Sequence, residues 1–390
     1  MIKTRIAVAS LLVMGSVSLL LAQQPPGPPG PPSGRPPGGP PGGGPPGGIF
    51  LPPLYTNKSA PLGAVDTAPA DRACAAKGHA KLVCLAALLK KDMAPELVAR
   101  LQLPYSVQDG KRWSNFPPMV YRNRVGVTLG EFSPAQLGVV KAILKEATGI
   151  AANEGYDEIE QILNADDFLK EQTGQSGFAS GNFQIAFLGT PAAKGIWQLY
   201  YGGHHVQISS TYRDGTMAGA TPSFRGVEPF TTFNEHGRDN APMAQEHDAF
   251  AAVLMALSPA EQAKARLSQT FTDIIVGPQL DNNFPGTKAG VRVGDLNTKQ
   301  RALLLHAIET YVGDIRQPDA KAMLAKYRGE LADTWLSYSG STSLKAENDY
   351  VRIDGPSLWI EFSMQPGRTI PGVHPHSVWR DRSADYGGNQ

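Results

Sequence analysis

The chain lacks an excess of charge of either sign: its 390 residues carry 36 Lys and Arg against 35 Asp and Glu, a formal net charge of +1. Binding a polyanion needs Lys and Arg in excess and gathered on one face. No such gathering is present, so no nucleic-acid partner is expected. Long apolar runs are lacking too. The longest, Ile6 to Leu21, is shorter than the roughly 20 residues of a membrane-spanning helix, and no later segment is apolar enough to cross a bilayer. No Gly-rich phosphate loop, Gly-x-Ser-x-Gly elbow, His-Glu-x-x-His helix or haem-attachment motif occurs. Those absences remove the common nucleotide-binding, serine hydrolase and zinc protease readings. Cysteine is reduced to Cys74 and Cys84. On one unbroken helix, positions ten apart lie about 15 Å apart along the axis, beyond the reach of a disulfide. Gly78 lies between them and offers a break, so a small disulfide-closed turn and two buried free thiols both stand as readings.

What is present is an ordinary soluble composition, 41% hydrophobic and long enough for one large domain or two smaller ones. Lys3 and Arg5 precede the apolar run, and Ala22-Gln23 ends it. That is the pattern of a secretory signal peptide cleaved after Ala22, with an uncleaved anchor as its rival. With no twin arginine and no following cysteine, the expectation is ordinary export to the periplasm or the exterior, without a lipid anchor or a membrane span after cleavage. Residues 23–58 are dominated by Pro and Gly. Gly27-Pro28-Pro29 and Gly30-Pro31-Pro32 look like collagen triplets, but Ser33-Gly34 breaks the period, so the stretch reads as a disordered tether. One large domain is expected over 59–390.

Within that domain the first part is helical. Leu82, Leu85, Leu88 and Leu89 make an apolar stripe. Ser133-Pro134-Ala135-Gln136, Ser258-Pro259-Ala260-Glu261 and Asn297-Thr298-Lys299-Gln300 each read as a capping box that opens a helix. Around Phe183 the period falls to two: strands are expected at Phe183–Phe187, Ile196–Tyr201 and His204–Tyr212, with a hairpin at Arg213-Asp214-Gly215. Thr221 to Gly226 is expected to leave the sheet. Helices return near residues 245–257, 259–269, 298–313 and 319–331, and His306 is expected in the core. Strands close the chain at Trp335–Ser339, Tyr350–Asp354, Leu358–Ser363 and around His374. Segregated helical and strand blocks without βαβ alternation predict an α+β fold with an antiparallel sheet.

Four of the eight histidines fall in two β segments. In Val373-His374-Pro375-His376, proline holds the chain extended, so His374 and His376 face the same way, as two ligands on a strand do. Of His204 and His205, neighbours on a strand, one at most shares a face with them. His205 is favoured because it lies in register with Gln207, Ser209 and Thr211. Glu361 stands apart from the apolar set Leu358, Ile360 and Phe362, on a strand that a short connection returns to His374. Three histidines and a carboxylate suit a borderline transition metal, zinc, copper or iron. Arg352, Arg380, Asp381 and Trp359 are candidates to hold substrate or to buttress the ligands.

Trp197, Gly203-His204-His205, Thr221-Pro222-Ser223-Phe224-Arg225-Gly226, Tyr350 to Pro356, Ile360-Glu361, His374 to Asp381 and Asp385-Tyr386-Gly387 together resemble the pattern of the family called domain of unknown function 3500. The resemblance runs from about Leu82 onward and implies a grouping without a reaction. The expected function is that of an exported metal-binding protein, with metal-assisted hydrolysis or redox chemistry open to it. The alternative is a non-catalytic envelope module for a small acidic or sugar-like ligand, its histidines structural. Either reading makes the partner a small molecule.

Overall fold

The computed structural model describes residues 58–175 and 177–388. The expected leader lies outside these residues, as does the expected tether apart from Lys58. The fold is α+β: ten α-helices and a 12-stranded mixed sheet occur among the described residues.

Eight strands form the body of the sheet: β1 (Gln184–Leu188), β2 (Ile196–Gly202), β3 (Val206–Arg213), β4 (Ser223–Gly226), β5 (Trp335–Ser339), β6 (Tyr350–Asp354), β7 (Leu358–Pro366) and β8 (Val373–Asp381). Their spatial order is β1-β2-β3-β4-β8-β7-β6-β5, antiparallel throughout. Short strands extend the edges. Gln102–Leu103 runs parallel to β1, and this pairing makes the sheet mixed. The hairpin after β3 turns on Asp214 and Gly215, at φ 50° and 86°. Positive φ at both central positions is the primed turn whose twist matches that of antiparallel strands.

The sheet is two antiparallel meanders, β1–β3 and β5–β8, joined by β4. Thr221 to Gly226 therefore does not leave the sheet, contrary to the sequence reading. Ser223–Gly226 pairs with β3 on one side and with β8 on the other. The segment carries no apolar alternation because Arg225 is neutralised beneath the sheet by Glu158 at 3.0 Å and Asp314 at 3.1 Å.

Helices cover one face. His79–Lys90 and Pro134–Ala147 pack on the first meander, and Ala244–Met255 and Thr298–Val312 on the second. The three capping boxes are formed by Ser133 with Gln136, Ser258 with Glu261 and Asn297 with Gln300. His306 is not in the core. Its side chain is 64% exposed, because Leu304, Ala307 and Ile308 take the inward face of its helix. On the other face of the sheet Trp113, Val125, Tyr200, Phe224, Ile274 and Val378 form a smaller core. Loops rather than helices close that face, and they shape the site. Near the start of the described chain, Cys74 ends the helix Ala68–Ala73 and Cys84 lies within His79–Lys90. The turn between them, with Gly78 at φ 63°, brings the two into a disulfide with Cα atoms 5.7 Å apart.

Candidate metal centre

The histidines meet where the two meanders join. His204 and His205 are not strand residues. They form the turn between β2 and β3, closed by Gly203 N–H donating to the Val206 carbonyl at 3.0 Å. His205 takes φ 65°, a conformation that histidine adopts more readily than most side chains. Strand alternation, expected for this pair, therefore does not set which way the two rings face. The two rings stack at 3.7 Å, and His204 is held from behind by Nδ1 against Asp166 Oδ1 at 2.6 Å.

His374 and His376 share a face of β8, as the strand period requires, with ring centroids 4.8 Å apart. His376 pairs with Ser363 on one side and Gly226 on the other. Gly226 carries both imidazoles on its surface. Its N–H donates to the His205 carbonyl at 2.8 Å, and a Cβ there would sit 2.8 Å from His205 Cδ2 and 3.0 Å from His376 Cδ2. Potential ligand atoms of His205, His374 and His376, all buried, lie within 4.8 Å of one another. His376 Nε2 and His205 Nε2 stand 3.3 Å apart.

Burial, aided by the neighbouring imidazoles, holds the His205 pKa well below the ordinary histidine value and pushes His374 down to about 4. Both rings are thus neutral at pH 7 and offer lone pairs, the form that binds a metal. His374 Nδ1 is buried without a hydrogen-bond partner among the described residues. His376 Nδ1 is engaged by Asp273 Oδ1 at 3.0 Å and by the Gln365 side-chain amide at 2.7 Å, while its Nε2 faces His205. Burial raises the Asp273 pKa, but His376, the Gln365 side chain and the Ile274 N–H together more than offset that, and the carboxyl titrates below its usual range.

Glu361 is not brought to the three histidines. It shares their face of the sheet, yet it lies opposite Val378, one same-face position beyond His376. Its oxygens accept instead from Ile275 N–H (2.7 Å), Val276 N–H (2.9 Å), the Tyr350 hydroxyl (2.7 Å) and Trp359 Nε1 (2.8 Å). Arg380, fully buried, donates to the Val276 and Gly277 carbonyls and pairs with Asp281 and Asp385. Asp381 accepts from Lys326, Tyr327 and Ser383. Arg352 lies over the Trp359 ring at 5.4 Å and donates to Ser337. These four residues knit strands and loops together, and none lines the cavity over the histidines.

That cavity has a volume of about 450 Å³. The clustered histidines line it together with the apolar Phe116, Val120 and Phe178 and the polar Arg368, Thr369 and Glu228. Asp273, Asn115 and Gln365, which also line it, were not singled out from the sequence. Asp273 lies in a loop without a motif, and nothing local marks it as the partner of a histidine 103 positions away.

An α+β protein with a buried histidine cluster at the seam of its sheet is the class that fold and site define. The chain belongs to the family described as protein of unknown function (DUF3500), whose model matches residues 75–388. All three clustered histidines fall within that span. No curated protein and no solved structure matches the chain.

Proposed function

We propose that this is an exported metalloenzyme in which His205, His374 and His376 hold one transition-metal ion, with a coordination position open to the cavity. One observation carries the reading. Two imidazole nitrogens bound at 2.0–2.1 Å to one tetrahedral ion stand roughly 3.3 Å apart, and His205 and His376 present theirs at 3.3 Å. Three imidazoles suit zinc, copper and iron alike. A bound ion supplies a Lewis acid that polarises a substrate oxygen and acidifies a coordinated water.

The protein's own residues do the rest. Asp273 and Gln365 hold the His376 ring at its Nδ1 side, Gly226 admits both rings, and the apolar lining restricts water. Metal-assisted hydrolysis is the reaction that such an open three-histidine site serves with zinc, and redox chemistry the one it serves with copper or iron. Export rests on the leader pattern and agrees with the disulfide, which persists in oxidising compartments.

Elemental analysis of protein purified without a histidine tag tests the centre. The expected result is about one zinc, copper or iron per chain, lost in His376→Ala while cooperative unfolding is retained. Protein that arrives without metal and takes up none of the three on reconstitution overturns the proposal.

A further inference from the structure

We propose that the molecule processed at this centre carries a carboxylate on an apolar body, with Arg368 binding the carboxylate while the reactive group meets the metal. The inference rests on the metal centre proposed above and names its substrate class. Arg368 is exposed, lines the cavity, and its guanidinium makes no hydrogen bond or ion pair within the described residues. Among the described residues it is the one lysine or arginine that lines the cavity. An unpaired guanidinium facing a pocket is a two-pronged donor matched to a carboxylate.

Its position is built rather than incidental. It sits at the tip of the β7–β8 hairpin, where Glu228 Oε1 accepts from the backbone N–H groups of Arg368, Thr369 and Ile370 at 2.8, 2.8 and 2.9 Å. Glu228 is 2% exposed, so the clamp on the tip is internal. The same hairpin carries His374 and His376 on its returning strand, which ties the cation and two proposed ligands to one rigid unit.

The apolar part of the lining sets the other half of the substrate. Phe116 and Val120, 51% and 63% exposed, leave apolar surface open at the cavity. Covering it with an apolar group removes that surface from water. Glu228 and Asp273 already place negative charge in the cavity, so a single carboxylate is favoured over a more highly charged phosphate.

Hydroxamates that ligate the metal at one end supply the probe. Cobalt(II)-loaded protein is titrated with benzohydroxamate and with its 3-carboxy and 4-carboxy derivatives, followed by the visible cobalt bands, in the wild type, Arg368→Gln and Arg368→Lys. At least one carboxy derivative is expected to bind about tenfold more tightly than benzohydroxamate to the wild type. The advantage should vanish in Arg368→Gln and partly return in Arg368→Lys, with benzohydroxamate itself unaffected. A cobalt spectrum that forms, with equal affinities for all three probes or an advantage that survives Arg368→Gln, overturns this inference alone. Failure of any cobalt band to form overturns the metal centre and the inference with it.

Discussion

Glu361 shows what one side chain's position in register decides. The strand period puts it on the same face as His374 and His376, and that much was legible in the sequence. Pairing with Val378 instead of His376 then turns it from a ligand into an anchor. Its two oxygens hold the loop at Ile275 and Val276, and that loop carries Asp273 to His376. Every partner of Glu361 is a donor, so Glu361→Gln sets an amide N–H against one of them. Disrupting a buried hydrogen-bonded charge of this kind costs on the order of 2–4 kcal/mol. Urea unfolding should show that loss, while metal content stays near that of the wild type. A Glu361→Gln protein that folds with wild-type stability but binds no metal would return Glu361 to the ligand set.

At the level of elements, the centre exists because β4, four residues long, joins two meanders and ends in a glycine. Gly226 has an ordinary backbone conformation, so alanine is permitted there by φ. The cost of Gly226→Ala comes from the two imidazole carbons at 2.8 and 3.0 Å. Overpacking of that size costs about 1–3 kcal/mol in stability. The expected outcome is a folded protein whose zinc affinity, measured by competition with a chromophoric chelator, falls at least tenfold. Unchanged affinity would mean that the rings are not held as described. Capping boxes and long alternating strands were readable because their signals lie within a few residues of each other. Ser223–Gly226 was not, because its pairing partners are 17 or more positions away and its arginine is balanced by Glu158 and Asp314, far along the chain, rather than by its own strand.

Across the whole molecule, the helical face hides a second charged cluster below the histidines. Glu154 and Glu158 are pushed up to about 8 by burial and by neighbouring carboxylates, Asp314 chief among them. Glu246 and Asp314 are also raised by burial, while Arg225 is the cation within the cluster. A carboxyl whose folded pKa lies above its unfolded value contributes stability that is complete below about pH 4.5 and is lost as pH rises through the folded pKa. His205 and His374, depressed on folding, act oppositely: their contribution is present above the unfolded histidine pKa and is lost as pH falls. The two sets therefore oppose each other between about pH 4 and 6.5, and above that the carboxyls act alone. The melting temperature in chelator should fall between pH 6.5 and 8.5, and Glu154→Gln should flatten that slope. A wild-type profile that rises over the same interval would refute the assignment.

The sequence by itself determined the α+β class, the helix starts and the common face of His374 and His376, because caps and strand periods act over short chain distances. Only the tertiary structure decided that a turn histidine completes the triad, that Glu361 braces a loop, and that Asp273 and Arg368 flank the site. Those choices depend on strand register and on side chains that meet loops 85 to 171 positions away, and no local pattern encodes such meetings.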